Sequence, residues 1–360
     1  MKKILFIFVL LSQVSFGIAR TQEKLIKVTV TRWPQDRQSA ISLTFDDAMN
    51  THLDIAAPIL RKHQLHGTFF VSTGRDSWQN RKEEWQRLAQ EGNELANHTV
   101  NHPCLLDVIE PHSQSYTPEM MEAEIKDSAM EITQLLHWYR GLTFAYPCGN
   151  ISFGQPGEQA RNAALYMRYV SEHSFGARSA GGNGAQNPDE LSVLTIDDLG
   201  STDGKDFIEL LELAKPSIRG HIWGVYCFHG IGGEWLSVTS AGFEELATYL
   251  ERHSEIWTAP FGDVLRYTQE RKSTSIEIKQ STDDSLDLDL TWPMDAQIYD
   301  LPLTLKVGIP ALWKGAITTA NGAKLNSKII EQKEGAVLLF DVPAQTKAVH
   351  ITGDVKYERN

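Results

Sequence analysis

Four groups of polar residues follow short apolar stretches. They are Asp46-Asp47 after AISLTF, His98 and His102 after ELAN, the Tyr146-Pro147-Cys148-Gly149 turn after LTFA, and His229 after GVYCF. Two imidazoles and one carboxylate can hold a zinc ion and leave a position open for water. A bound ion lowers the pKa of that water and polarises a carbonyl. A second carboxylate nearby can serve as base, and a histidine opposite can protonate a leaving group. Asp46 and Asp47 face opposite ways if strand geometry continues through them. One can then hold metal while the other is aimed elsewhere, and the pattern alone does not say which. Each group by itself has an ordinary structural use, as a helix cap, a turn or a core histidine. Their joint occurrence at successive strand ends is what points to a site.

The elements that must position these residues alternate in type. Strands are expected over Ala40–Phe45, His66–Val71, Glu94–Ala96, Leu142–Tyr146, Gly224–Phe228 and Ile256–Thr258, with further strands near Arg168–Val170 and Val193–Ile196. Helices are expected over Leu53–Lys62, Lys82–Gln90, Pro118–His137, Glu158–Tyr166, Asp206–Ala214, Ala241–Arg252 and Phe261–Arg271. Gly176–Asn187 and Gly230–Gly233 read as glycine-rich loops. Such alternation predicts parallel β/α units, whose ligands gather at the carboxyl ends of the strands. After Lys272 the pattern changes to short alternating runs divided by turns, which predicts a small β-sandwich over 275–360. The acidic run Asp283, Asp284, Asp287 and Asp289 does not have the spacing of a calcium loop and reads as a solvated face.

Composition sets the outer bounds. The 360 residues carry 34 Lys and Arg against 46 Asp and Glu, a formal charge of −12. No basic surplus exists to neutralise phosphates, so general nucleic-acid binding is not expected. Lys2 and Lys3, the apolar run Ile4–Leu11 and the small residues Ser15, Gly17 and Ala19 form the layout of a secretory signal peptide over 1–19. The run is too short for a good membrane span. The expected protein is therefore exported, to a periplasm or the medium, with no integral membrane segment after cleavage. Three cysteines, Cys104, Cys148 and Cys227, allow at most one internal disulfide and leave one free thiol.

These residues resemble the polysaccharide deacetylases with a NodB-like domain, carbohydrate esterase family four. Thr44-Phe45-Asp46-Asp47-Ala48 matches the first block, with Ala48 in place of a glycine, which asks for ordinary backbone angles there. His98-Thr99-Val100-Asn101-His102 matches the second, Ala145-Tyr146-Pro147-Cys148-Gly149 the third, and Phe228-His229 the last. The resemblance covers about Gln38 to Arg271. It implies a distorted (β/α) barrel over 24–272 with fewer than eight complete units. It implies Asp46 as general base, Asp47, His98 and His102 as ligands of one divalent ion (zinc before others), and His229 as general acid. The backbone N–H of Cys148 would help hold the oxyanion. The implied reaction is hydrolysis of an N- or O-acetyl group on an oligosaccharide or polysaccharide, releasing acetate.

Two departures stand out. The arginine that orients the catalytic aspartate in the third block is replaced by Ala145, and the fourth block, with its carboxylate, has no clean match. Arg178 is the candidate to return a guanidinium from another strand end, and Asp197, Asp198 or Asp263 the missing carboxylate. Tyr146, Trp235 and Trp223, with Trp78 and Phe153, are candidates for a sugar platform; Trp257 reads as core. Two other readings compete: a catalytically weakened glycan-binding protein, motivated by the two departures, and an amidohydrolase acting on a non-glycan C–N bond.

Overall fold

The computed structural model describes residues 26–355 apart from 311 and 333–334; the signal-peptide segment lies outside the described residues. The strands in chain order are β1 (Val28–Val30), β2 (Ser39–Asp46), β3 (Thr68–Val71), β4 (Glu94–Asn97), β5 (Thr143–Ala145), β6 (Gly176–Arg178), β7 (Trp223–Phe228) and β8 (Ile256–Thr258), followed by β9 (Ser275–Ser281), β10 (Ser285–Thr291), β11 (Leu303–Ile309), β12 (Trp313–Ala320), β13 (Ala323–Leu325), β14 (Ser327–Gln332), β15 (Gly335–Val342) and β16 (Ala348–Val355).

The first unit is a curled, all-parallel sheet in the order β6-β5-β4-β3-β2-β7, with β8 also on β2. β2 is buried along its whole length. That suits a parallel strand covered on both faces. Phe45 stacks on Phe69 and Phe228 and meets Phe243 edge-on. This aromatic cluster anchors the end of β2 from which Asp46 emerges. The helices Ala57–Lys62, Lys82–Gln90, Pro118–Leu135, Gln159–His173, Phe207–Gly220, Ser240–Arg252 and Phe261–Ser273 account for every helix expected from the sequence. The expected distorted barrel is present.

Several details differ from the expectation. The strand expected near Arg168–Val170 is the second half of the helix Gln159–His173. Tyr166, Tyr169 and Val170 are its buried face, at helical spacing. Conversely, Gly176–Arg178, expected as loop, is an edge strand paired in parallel with β5. Gly-Ala-Arg has no local strand signal, so only this pairing makes it β. The expected strand Val193–Ile196 contributes a single bridge, Ile196 to Arg178. The chain from there closes the barrel irregularly: Gln186 exchanges backbone hydrogen bonds with Trp223, and the Leu199 N–H donates to the Val225 carbonyl at 2.9 Å. The helix expected from Leu53 opens with a π-helical turn, His52–Ala56.

The second unit is a sandwich of two antiparallel sheets, β1-β11-β15-β14 and β13-β12-β16-β10-β9. Leu286, Leu288, Leu305, Val307, Phe340 and Ile351 are among its core residues. Its outermost strand β1 comes from the N-terminal side of the barrel, with Val28 opposite Val307 and Val30 opposite Leu305. The segment expected to begin the barrel thus belongs to the sandwich. Tyr267, on the last barrel helix, joins the sandwich core, and its hydroxyl donates to the Thr31 carbonyl at 3.1 Å. Among the described residues no helix is long and apolar enough to cross a membrane.

Candidate active site

Parallel register brings the strand ends together. β2 aligns Thr44 with Cys227 and Phe45 with Phe228, so the next positions, Asp46 and His229, emerge side by side. β3 aligns Phe70 with Asp46, and β4 aligns Asn97 with Val71, which delivers His98 to the same end.

Beyond the strands the backbone turns sharply. Asp47 and Ala48 have φ of 79° and 53°, and Thr99 and His102 have φ of 67° and 59°. The expectation of ordinary angles at Ala48 is therefore overturned. A left-handed non-glycine residue costs about 1–2 kcal/mol, and here it lets both aspartates face inward. They do not diverge as a continued strand would require. His98 Nε2 lies 3.7 Å from Asp46 Oδ2 and 3.7 Å from Asp47 Oδ1. His102 Nε2 lies 3.4 Å from Asp47 Oδ1.

Asp47, His98 and His102 offer ligand atoms within 4.8 Å of one another, and all three are buried. Asp47 Oδ1 and His98 Nε2 have no hydrogen-bond partner. His98 Nδ1 lies 2.8 Å from the Ala145 carbonyl, which can only accept, so the ring proton sits on Nδ1 and the Nε2 lone pair faces the cluster. Burial pushes the pKa of His98 down, and burial with the neighbouring His98 pushes His102 down to about 4. Two neutral imidazoles and an anionic carboxylate with orphaned lone pairs fit a divalent ion. The donor set does not by itself select zinc.

Asp46 is held differently. Burial would raise its carboxyl, but Arg178, then His98 and His229, override this and hold it well below the usual carboxylate range. Arg178 is 1% exposed; its Nη2 donates to Asp46 Oδ2, and its Nη1 lies 3.6 Å from Asp198 Oδ2. The guanidinium absent at Ala145 thus comes from the end of β6. Asp198 supports it, while its Oδ1 accepts from the N–H groups of Gly182 and Gly200 at 3.1 and 2.9 Å. Asp197 accepts from Gly181 and Asn183 and shapes the same loop. Asp263 pairs with Arg266 at 2.7 Å within the helix that leads to the sandwich and takes no part in the site.

Cys148 and Cys104 form a disulfide, which ties the turn after β5 to the segment just beyond His102. Cys148 has φ of 53° and lines the cleft. A loop closed across 44 residues is worth about 2–4 kcal/mol. Replacing both cysteines by serine is expected to lower the unfolding free energy by about that amount, measured by denaturant titration.

The site floors a cleft of ≈ 700 Å³ lined by Asp46, Asp47, His102, Cys148 and His229, with an apolar rim. Trp235, 58% exposed, is on that rim, as are Leu106 and Val108, 50% and 84% exposed. Trp223 and Tyr146 are not. Trp223 is fully buried with its Nε1 donating to Ser42 at 3.1 Å, and Tyr146 is packed between Phe144 and Tyr166. Trp78 and Phe153 are likewise core. These four are core packing, which spacing alone did not reveal: Trp223 clusters with Ala40, Phe70 and Phe261, Tyr146 and Phe153 with Phe144 and Tyr166, and Trp78 with Trp85.

Two contributors were missed. His52 is fully buried with its pKa pushed down to about 4 by burial, and its Nε2–H donates to the His229 carbonyl at 2.8 Å. Cys227 Sγ lies 3.5 Å from Asp46 Oδ2. Its position two residues before His229 was the available signal, since alternate strand residues share a face.

A curled parallel half-barrel with a buried Asp-His-His cluster at its carboxyl end defines a polysaccharide deacetylase-type domain. Residues 34–164 match the polysaccharide deacetylase family. Arg178 and His229 lie beyond the matched segment. Over 325 residues, 81% of this chain, it is 25% identical to part of a gellan lyase from a Bacillus species, covering 12% of that protein. It is 24% identical over 168 residues to the putative polysaccharide deacetylase YxkH of Bacillus subtilis, covering 46% of this chain and 56% of that one. The chain therefore spans well under two thirds of these relatives. Among solved structures, Bacillus subtilis PdaA, a family 4 carbohydrate esterase, superposes with a TM-score of 0.40 at 17% identity, over 63% of this chain and 80% of that one.

Proposed function

We propose that this protein is an exported, divalent-metal-dependent deacetylase that hydrolyses an N- or O-acetyl group on an oligosaccharide or polysaccharide. The observation that carries this reading is the pairing of two differently tuned carboxylates at one strand end. Asp47 faces two neutral imidazoles, and Asp46 is held anionic by Arg178. Zinc is the ion proposed, bound by Asp47, His98 and His102; it would activate water and polarise the acetyl carbonyl.

The chain's own groups supply the proton movements. Asp46 accepts a proton from the attacking water on Oδ1, the oxygen that Arg178 leaves unpartnered. Its low basicity limits it to an acceptor that needs an acidified water, which the neighbouring ligand set provides for. His229, beside Asp46, donates to the departing nitrogen or oxygen, with its backbone held by His52. The Cys148 turn, clamped by the disulfide, forms the wall nearest the developing oxyanion.

The open cleft and exposed Trp235 support a carbohydrate over a small non-glycan amide, because glycan faces stack on exposed aromatic rings. The long match to part of a gellan lyase also supports a polymeric carbohydrate. The reading as a weakened binding protein loses its main motive, since Arg178 stands where the missing arginine is needed.

Acetate release from a matched panel of N- and O-acetylated oligosaccharides, with and without chelator, tests the proposal. Release that stops with chelator and returns with zinc supports it, and the responding member assigns amide or ester. No release from a metal-loaded protein across the panel would overturn it. Trp235→Ala is expected to raise KM about tenfold on an oligosaccharide while leaving kcat within about twofold, the loss of about 1.4 kcal/mol of uniform binding.

A further inference from the structure

A second ligand triad, which includes Asp46, lies next to the first. Cys227 Sγ, a ring nitrogen of His229 and a carboxylate oxygen of Asp46 are all within 4.8 Å of one another. It shares no residue with the Asp47, His98 and His102 triad. Cys227 and His229 fall on one face of the chain leaving β7, and the β2 register sets Asp46 beside them.

Three observations point to a ligand here. Asp46 is 4% exposed, yet its Oδ1 has no hydrogen-bond partner. Cys227 is buried and is the one cysteine left outside the disulfide. The triad also opens to space: all three residues line the main cleft, and Cys227 and His229 line a neighbouring cavity of ≈ 320 Å³ as well. Arg178 and Cys227 Sγ both meet Asp46 on Oδ2, and Oδ1 is left without a hydrogen-bond partner.

We propose that Asp46, Cys227 and His229 form a second cation site, filled when metal exceeds the amount the first triad takes up, and inhibitory when filled. A sulfur, a nitrogen and a single oxygen select zinc and softer ions such as cadmium, and discriminate against magnesium and calcium, which demand oxygen ligands. On binding, the Cys227 S–H bond breaks, its proton passes to solvent and a sulfur–metal bond forms. His229 binds as the neutral ring and Asp46 as the carboxylate. The inhibition rests on the proposed function, because the second ion would occupy the base and the acid together; the binding does not.

The test is a cadmium titration of the full chain without reductant, so that Cys227 is the sole thiol. Bound metal is measured by equilibrium dialysis and the sulfur-to-cadmium charge-transfer absorption is read in the ultraviolet. Two ions per chain with thiolate absorption are expected for the wild-type protein. Cys227→Ser is expected to bind one ion without absorption, and His98→Ala/His102→Ala one ion with it. Magnesium in excess should not displace the absorption. Wild-type protein that shows no thiolate absorption, or absorption that survives in Cys227→Ser, overturns the site, and the wild-type reading decides this even if a variant fails to fold. As a second readout, acetate release should rise with the first equivalent of zinc and fall several-fold beyond it, with the falling limb, normalised to each protein's own maximum, absent in Cys227→Ser. A chain that releases no acetate at all defeats the proposed function while the cadmium stoichiometry still judges the site.

Discussion

Asp46→Asn is expected to keep its bound divalent ion and lose acetyl release by about 10²–10⁴-fold, whereas His98→Ala is expected to lose the ion itself. General-base groups typically contribute a factor of that size. The two phenotypes separate because the two carboxylates sit in different electrostatic settings. Asp47 Oδ1 faces His98 and His102 at 3.7 and 3.4 Å, with Arg75 Nη2 at 4.0 Å, and has no hydrogen-bond partner. Asp46 is bound to Arg178, and the asparagine can still meet that guanidinium through its carbonyl oxygen. Metal content by elemental analysis, set beside single-turnover acetate release, reads both quantities on the same sample. Equal metal loss in Asp46→Asn and His98→Ala would show that the roles of the two carboxylates are reversed or shared.

Arg178→Met should act at a distance from the reacting atoms, through Asp46. Removing the cation leaves Asp46 and Asp198 buried without their main counter-charge. Breaking a buried pair on one side costs about 3–5 kcal/mol. A carboxylate with a depressed folded-state pKa contributes stability above its unfolded value, and that stability is lost as pH falls through the folded value. For wild-type Asp46 that loss lies in strong acid, far below the working range. In Arg178→Met, burial acts without its largest opponent, so the carboxyl rises. The acid limb of kcat/KM is then expected to move to higher pH, with kcat at neutral pH down by about 10²-fold, while metal content is unchanged. Arg178→Lys should restore most of the acid limb through its charge but not the full kcat, because a lysine cannot reproduce the fork that reaches toward both carboxylates. A pH profile that stays in place while only the denaturation midpoint falls would reduce Arg178 to a structural residue.

The strand-end residues were legible because parallel β/α units place their ligands by a rule that depends only on element order. Asp46, Asp47, His98, His102 and His229 each follow an apolar stretch that could be read locally, and the structure brings all five to one end of the sheet. Arg178 was legible only as a chemical vacancy to be filled, since Gly-Ala-Arg carries no strand signal of its own. The aromatic candidates were the least legible. Trp223 and Tyr146 sit beside chemistry-bearing residues in the chain, yet both are buried, and Trp235, in a turn, is the one exposed.

By itself the sequence determined the order of elements, the change from alternating β/α units to a β-sandwich, and the ligand-bearing residues, because hydrophobic periodicity and side-chain chemistry are local properties. Tertiary structure alone decided that Asp47 reaches both imidazoles while Asp46 lies near His98, since two left-handed residues at Asp47 and Ala48 turn the chain away from strand geometry. It decided that an N-terminal strand completes the C-terminal sandwich, through pairing across more than 270 residues. It also set Arg178 and Cys227 against Asp46, because contacts between distant strand ends depend on the register and curl of the sheet, which local patterning does not encode.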